Sequence, residues 1–153
     1  MSDPVQETIA QAVLAKLTAL VSAKSLASAS RATLAGMPDS PEDKSAFLVQ
    51  MECAEDPVQL QGYKNWIQAF DVYLFVRPSD RDTAAVDTAI NALRADVEKQ
   101  LLSDLPAGDA LFGLADNAAI RAPLLFELGE ACVGAIVRLE VSFRHLEFDP
   151  YSQ

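Results

Sequence analysis

The chain has 153 residues, of which 50% are hydrophobic and 22% are charged. This balance excludes a disordered chain and is typical of a globular protein with its own core, so a single domain over residues 1–153 is expected. The formal net charge is -10 at pH 7, and so acidic a surface repels phosphate backbones, which argues against sequence-specific nucleic-acid binding.

The cysteines and the N-terminal residues bear on the compartment. Cys53 and Cys132 lie in apolar runs without the CxxC spacing of a metal or redox site, which predicts two buried free thiols in a reducing compartment. Asp3 and Glu7 stand where a signal peptide would be basic, and Lys16 interrupts the apolar stretch that follows. The sequence therefore disfavours export and membrane insertion.

A first helix is predicted from Pro4 to about Lys24. Proline suits the first turn, with Asp3 as the cap. Apolar residues recur on one face at helical spacing: Ile9, Val13, Leu17, Leu20 and Val21. Residues 25–35 are rich in Ser and Ala, and they either extend this helix or form a separate short one. The stretch 1–45 is thus interpreted as an N-terminal helix with a Ser- and Ala-rich connection.

Two strands are predicted next, over residues 46–54 and 66–76. On the first, one side carries Phe47, Val49, Met51 and Cys53, and the other carries Gln50 and Glu52. On the second, one face carries Trp66, Phe70, Val72, Leu74 and Val76, and the other carries Asp71, Tyr73 and Arg77. Aromatic residues occupy both faces of this second strand, which a sheet with one buried face does not require. Either the N-terminal helix or an oligomer contact is expected to cover the second face.

A second, amphipathic helix is predicted over residues 80–104. Its narrow apolar stripe consists of Val86, Ile90, Leu93, Val97 and Leu101. Such a helix covers one face of a sheet. Residues 109–119 are interpreted as a loop with one helical turn at most, and the short apolar segment 123–128 as a strand.

The clearest strand is predicted over residues 133–145. One face carries Val133, Ala135, Val137, Leu139, Val141 and Phe143, and the other carries Arg138, Glu140, Ser142 and Arg144. This alternation is typical of an antiparallel strand with one wet face. The predicted fold is α+β: an antiparallel sheet of about four strands, flanked by an N-terminal helix and a central amphipathic helix.

The residue pattern contains no recognisable catalytic, cofactor or metal site. A catalytic Ser or Cys needs a histidine as its base. The single histidine of the chain, His145, continues the inward-facing pattern at the end of a strand, so we interpret it as structural. The six glycines are scattered and form no phosphate-binding loop. Paired carboxylates such as Glu127 and Glu130 are expected by chance in so acidic a chain. We therefore predict that the protein is not an enzyme and carries no cofactor.

The end of the chain resembles tail terminator (tail completion) proteins of long-tailed bacteriophages. The residues that carry this resemblance are Val141-Ser142-Phe143-Arg144-His145-Leu146-Glu147-Phe148-Asp149-Pro150-Tyr151. Members commonly finish with an aromatic-bearing strand and a short acidic segment before Asp-Pro-Tyr. The order of the elements from residue 46 onward is also similar to that family, so the resemblance covers about two thirds of the chain.

The resemblance implies a structural virion protein. Members form a ring, typically a homohexamer, on the head-proximal end of the tail tube, where the ring ends tube polymerisation and joins the tail to the neck. The implied partners are further copies of this chain, the major tail tube protein and a neck or head-completion protein. The implied location is the neck end of the tail in the virion, after synthesis in the host cytoplasm.

Two sets of charged residues receive hypothetical roles in such a ring. A lumen that passes DNA without binding it would be acidic, and the candidates are Asp39, Glu42, Asp43, Glu52, Glu55 and Asp56, with the acidic face of the helix 80–104 as an alternative. The candidates for a subunit interface are Arg138, Glu140 and Arg144 on the wet face of the last strand.

Two other classes of protein remain open. An acidic cytosolic secretion chaperone, also a small α+β protein, would hold an effector segment in exposed apolar grooves and would be a dimer. A small-molecule-binding or enzymatic domain would show a deep pocket with converging polar groups. The sequence shows no sign of such a pocket.

Overall fold

The computed structural model describes residues 4–77, 83–104, 115–121, 124–127 and 132–152. The helices are α1 (Val5–Ser22) and α2 (Thr83–Leu101), and a 3₁₀ turn lies at Leu34–Gly36. The strands are β1 (Ser28–Ala32), β2 (Ser45–Glu55), β3 (Tyr63–Val76), β4 (Asn117–Ile120), β5 (Leu124–Glu127) and β6 (Val133–Leu146). The α+β class predicted from the sequence is confirmed.

The two helices follow the predicted apolar patterns. The residues of α1 that face the core include Ile9, Val13, Leu17 and Leu20, and those of α2 are Val86, Ile90, Leu93, Val97 and Leu101. Pro4 directly precedes α1, and the helix ends before Lys24, whose φ of 63° is the left-handed conformation that commonly closes a helix. The predicted cap Asp3 and the predicted start of the second helix at residues 80–82 lie outside the described residues. Among the described residues, neither helix is long and apolar enough to cross a membrane.

The sheet has six strands and is mixed, whereas the sequence predicted about four antiparallel strands. The order is β1-β2-β3-β6-β4, and β5 also pairs with β6. The pair β1–β2 is parallel and the other pairs are antiparallel. The prediction left open whether residues 25–35 are helical and did not include β1, which lies there and pairs with residues 45–49 of β2. It also missed β4 at the end of the predicted loop 109–119.

Strands β4 and β5 together line one edge of β6. β4 pairs with residues 139–142 and β5 with residues 133–136, both antiparallel to β6. Between these two pairings, the backbone N–H of Arg121 donates to Arg138 O at 2.9 Å. β6 is therefore paired along both sides over these residues. The strand in which apolar and polar residues alternate is thus an interior strand of the sheet.

Both helices pack on the same face of the sheet. The core cluster contains the helical residues above except Val86, together with sheet residues that include Leu48, Phe70, Val72, Leu74, Val137, Leu139 and Val141. The alternation predicted for β3 and β6 is confirmed, since these positions point toward the helices. The N-terminal helix therefore does not cover the second face of β3, which was one of the two expectations.

Strand β2 does not keep one alternation along its length. Its pairing with β3 shifts between Gln50 and Cys53, as a β-bulge does. Ahead of the bulge Phe47 and Val49 lie on the face away from the helices, while after it Cys53 pairs with Gln68 on the helix side. The predicted single face through Phe47, Val49, Met51 and Cys53 was therefore wrong, because a bulge reverses the parity of the residues beyond it.

Candidate interaction surface

The face of the sheet that points away from α1 and α2 is the candidate interaction surface, and we call it the open face. Among the described residues, no helix packs on it. Its apolar members include Phe47, Val49, Tyr73, Phe75, Phe126 and Ile136, and its charged members include Asp71, Arg138, Glu140 and Arg144. Aromatic residues and arginine are enriched in protein interfaces, and the open face carries both.

Four aromatic side chains form a continuous cluster on the open face. Phe75 meets both Phe47 and Phe126 edge to face, with ring centroids 5.8 Å apart in each pair. Tyr73 meets Phe126 in the same way at 6.2 Å. Burial and the neighbouring Asp71 carboxylate raise the pKa of Tyr73, so its hydroxyl stays protonated at neutral pH. Phe75 is 2% exposed and the other three rings are half-buried. The cluster is therefore largely uncharged and mostly covered by the chain itself.

Gly134 on β6 makes room for this cluster. It pairs with Phe75 on one side and with Phe126 on the other. A Cβ at this position would lie 2.8 Å from Cε1 of Phe126 and still closer to Cζ of the same ring. Only glycine leaves room for the Cζ end of the Phe126 ring against the strand here.

An ion pair between Arg138 and Asp71 lies beside the aromatic cluster. Its carboxylate is almost completely buried. Arg138 donates from Nε to Asp71 Oδ1 at 2.8 Å and from Nη2 to Asp71 Oδ2 at 2.9 Å. The Asp71 side chain is 6% exposed, and Glu52 approaches Arg138 Nη1 at 3.4 Å. The hydrogen bonds to Asp71 raise the pKa of Arg138 further above its usual range. The Arg138 guanidinium is therefore fixed in place by its own chain.

The other two interface candidates are also paired within the chain. Glu140 Oε2 accepts from Arg121 Nε at 2.8 Å, and this bond raises the pKa of Arg121. Arg144 lies 3.5 Å from Asp116 and 5.2 Å from the ring centroid of Tyr63. The structure brings Arg138, Glu140 and Arg144 together on one face, as predicted. No sequence pattern indicated their partners Asp116 and Arg121, which flank the missed strand β4.

The six acidic candidates for a lumen do not form one patch. They divide into a group ahead of β2, with Asp39, Glu42 and Asp43, and a group at its far end, with Glu52, Glu55 and Asp56. Residues 44–51, most of them in β2, lie between Asp43 and Glu52 and span roughly 25–30 Å at the usual rise per residue. Asp43 accepts from the backbone N–H of Arg77 at 2.8 Å, and Glu55 lies 3.5 Å from Lys64. The sequence cluster is thus spread over both ends of the sheet.

His145 is bound by two neighbours through its two ring nitrogens. Trp66 Nε1 donates to His145 Nε2 at 2.8 Å, and the two rings stack with centroids 6.1 Å apart. Since Nε2 accepts, the proton lies on Nδ1, which is 2.7 Å from the carbonyl oxygen of Leu146 and donates to it. Neither nitrogen is free to act as a base, in keeping with the interpretation of His145 as structural.

The two cysteines differ in exposure. Cys132 is buried as predicted, but Cys53 is exposed, and that part of the prediction was wrong because the bulge in β2 ends the buried section of the strand. Desolvation raises the pKa of both thiols, so the reactive thiolate form is disfavoured at neutral pH. Within the described ranges, no group of three or more His, Cys, Asp or Glu side chains could hold a metal ion.

No protein-family model matches this chain, and no curated protein matches it at a significant level. The case for a function therefore depends on the residues of the chain themselves. The relevant features are the open face, the ion pairs that cross it and the end of β6.

Proposed function

We propose that this protein is a tail terminator of a long-tailed bacteriophage, a structural protein that caps the head-proximal end of the tail tube as a ring. The observation that carries the proposal is the open face. A sheet with both helices on one side leaves the aromatic cluster of Phe47, Tyr73, Phe75 and Phe126 with no helix over it among the described residues. Phe75 is 2% exposed, and Phe47, Tyr73 and Phe126 are half-buried. We take the exposed parts of these three rings as the apolar centre of a contact between copies, because aromatic residues are enriched in protein interfaces.

Two further features support the proposal. The last strand, β6, runs into the Asp149-Pro150-Tyr151 ending that resembles the family. The net charge of -10 suits a ring around a DNA passage, because carboxylates repel the phosphate backbone. In this role the chain would bind the tail tube protein and a neck protein and would let DNA pass without specific contacts.

The first test is the mass of the protein with and without purified tail tubes, measured by analytical ultracentrifugation and electron microscopy. We expect a ring of copies, typically six by the resemblance, at one end of the tube and a limit on tube length when the protein is added during polymerisation. A stable dimer that ignores tail tubes would contradict the proposal and favour the secretion chaperone. Ring walls that are neutral or basic would contradict the acidic lumen.

A second test concerns the open face as a subunit contact. The pair Arg121 and Glu140 can be exchanged in the double variant Arg121→Glu/Glu140→Arg, which keeps the ion pair within the chain but reverses the charges that a neighbour meets. If this part of the face touches another copy, we expect the exchange to weaken ring assembly while the free energy of unfolding stays unchanged. Assembly that is indifferent to the exchange would make Glu140 part of a solvated surface.

A further inference from the structure

A second apolar surface lies at one end of the sheet, where β2 ends, β3 begins and β6 ends. We call residues 56–62 and 146–152 the tip. Of the eight large apolar side chains that the described residues expose, five lie here: Val58, Leu60, Leu146, Phe148 and Tyr151. Phe148 is 94% exposed. Scattered apolar side chains are normal on a protein surface, but such a concentration marks a contact site.

Backbone hydrogen bonds join the two segments of the tip into one surface. Tyr63 pairs with Leu146 across β3 and β6. The N–H of Glu147 donates to Gly62 O at 3.1 Å, and the N–H of Tyr63 donates to Leu60 O at 3.0 Å. The end of the loop after β2 therefore lies beside the start of the segment after β6.

The exposed Phe148 is held by an ordered turn. The Asp149 carboxylate accepts from the backbone N–H of Tyr151 at 3.0 Å and from the hydroxyl of Ser152 at 2.7 Å. The N–H of Val5 donates to Pro150 O at 3.0 Å, which fixes the turn to the start of α1. The backbone that carries Phe148 is therefore already ordered, so a partner does not have to order it on binding.

A cavity of about 230 Å³ opens beside the tip. Its lining includes Cys53, Trp66, Phe143 and Pro150, so its walls are mostly apolar. A cavity of this kind can take one anchoring side chain of a partner, as the central pockets of protein interfaces do. Trp66, the single tryptophan of the chain, lies in its wall and can report its occupation.

The charges around the tip select the kind of partner. Four acidic residues lie in it or next to it: Glu55, Asp56, Glu147 and Asp149. Lys64 is close to Glu55, at 3.5 Å. Two copies of so acidic a tip would repel each other, whereas a partner with basic side chains around its apolar contacts would be attracted.

We propose that the tip is a docking surface for a different protein, whose contacting segment carries aliphatic or aromatic side chains flanked by lysine or arginine. One apolar side chain of that segment enters the cavity beside Trp66, and the others cover Phe148 and Leu60. This inference goes beyond the ring proposal and does not depend on it, because the tip and the open face are separate surfaces.

The test uses two synthetic amphipathic peptides with the same leucine and phenylalanine positions, one with lysine and one with glutamate at its polar positions. Binding is measured by Trp66 fluorescence and by calorimetry on the full-length protein. We expect the lysine peptide to bind and the glutamate peptide not to bind. The double variant Leu60→Ser/Phe148→Ser is expected to weaken binding about tenfold or more.

The matched control is Leu124→Ser/Leu125→Ser, which removes two exposed leucines from strand β5 in the edge beside β6. All variants keep the net charge, so non-specific attraction of the lysine peptide is the same in each. Circular dichroism and the melting temperature check that the tip variant folds. Equal binding by the wild type and the tip variant, or by the two peptides, would overturn the proposal.

A third outcome would also overturn it: a tip variant that changes the protein from an oligomer to a monomer, since the tip would then be a contact between copies. The two proposals can fail separately. A protein that never assembles on tail tubes but binds the lysine peptide through Phe148 would contradict the ring and support the docking surface.

Discussion

At the scale of single residues, the open face is organised by one buried carboxylate. Asp71 stands on β3 among apolar neighbours, and both of its oxygens accept from Arg138 on β6. A buried carboxylate is unfavourable unless it is paired and hydrogen-bonded. The pair therefore allows a charged group to lie beside the aromatic cluster and fixes the register between the two central strands.

Replacing Asp71 by asparagine tests this pairing. The amide cannot accept from both guanidinium nitrogens, so Arg138 loses one charge-assisted bond and meets a donor in its place. We expect the free energy of unfolding to fall by about 1–3 kcal/mol, the lower part of the range being favoured because the guanidinium is partly solvated. Urea denaturation followed by Trp66 fluorescence measures the loss. The control Arg121→Gln, in a more exposed pair, should cost less than about 1 kcal/mol, and equal losses would contradict this account.

The close contact of Gly134 with Phe126 leads to a second residue-scale prediction. In Gly134→Ala the new methyl group would overlap the Phe126 ring, which is held by Tyr73 and Phe75. We expect a loss of about 1–3 kcal/mol in the free energy of unfolding. In a Phe126→Ala background the same substitution has room and should cost much less. A double-mutant cycle measures the difference, and additive losses would show that the overlap is not the cause.

At the scale of the elements, regular periodicity decided what the sequence could predict. The strands β3 and β6 and the helix α2 have long apolar patterns of a single period, and each was found within a few residues of its predicted bounds. The strand β1, with the sequence SASRA, has no such pattern, and its state depends on pairing with β2. The strand β4 has four residues and is defined by the edge of β6 that it covers. Tertiary contacts of this kind are not visible in local sequence.

Lys16 shows a further limit of sequence patterns, because a lysine within an apolar helix is 1% exposed. Its Nζ lies 2.9 Å from Asp104 Oδ2 and donates to Ser103 Oγ at 2.8 Å, which links α1 to the end of α2. The positive charge also suits the C-terminus of α2, where the helix dipole is negative. The sequence indicated only an interruption of an apolar stretch.

The substitution Lys16→Met keeps the buried stem and removes the donors. We expect the free energy of unfolding to fall by about 1–3 kcal/mol, because the Ser103 and Asp104 oxygens lose a charged partner. The matched control is Lys99→Met, the same change at an exposed position of α2, which should cost less than about 0.5 kcal/mol. Denaturant unfolding of both variants provides the comparison, and a similar loss in each would exclude a specific role of the buried ammonium group.

The turn at Asp149 leads to a prediction on pH. Hydrogen bonds from Ser152 and from the Tyr151 amide hold the pKa of Asp149 below its ordinary value, which is about 3.9 in an unfolded chain. A lowered folded-state pKa means that the turn is stabilised fully above that value and loses this stabilisation as the pH falls through the folded-state pKa. The Tyr151 amide resonance in NMR should titrate with a midpoint below the ordinary value. The stability difference from Asp149→Asn should vanish over the same range, and a midpoint at or above the ordinary value would contradict it.

At the scale of the whole molecule, the sequence predicted which face of the sheet carries the interface candidates but not the ion pairs that they form. Arg138, Glu140 and Arg144 share a face because a strand alternates, which is a local property. Their pairing with Asp71, Arg121 and Asp116 depends on strands distant in sequence. The six acidic residues of 39–56 are close in sequence, but an extended strand separates them in space. Charge in a sequence window thus indicates composition more reliably than it indicates a surface patch.

The ion pairs within the chain determine how salt is expected to affect self-association. Each copy carries a net charge of -10, so copies brought together in the proposed ring would repel one another, and the ionic residues of the open face are already paired within the chain. Apolar contacts must then provide most of the attraction between copies. Raising the salt concentration from about 0.05 M to about 0.5 M shortens the screening length and weakens the repulsion, so we expect self-association to become stronger, as measured by sedimentation equilibrium. If the assembly dissociates at high salt instead, then Arg138, Glu140 or Arg144 exchanges its partner for one on the neighbouring copy.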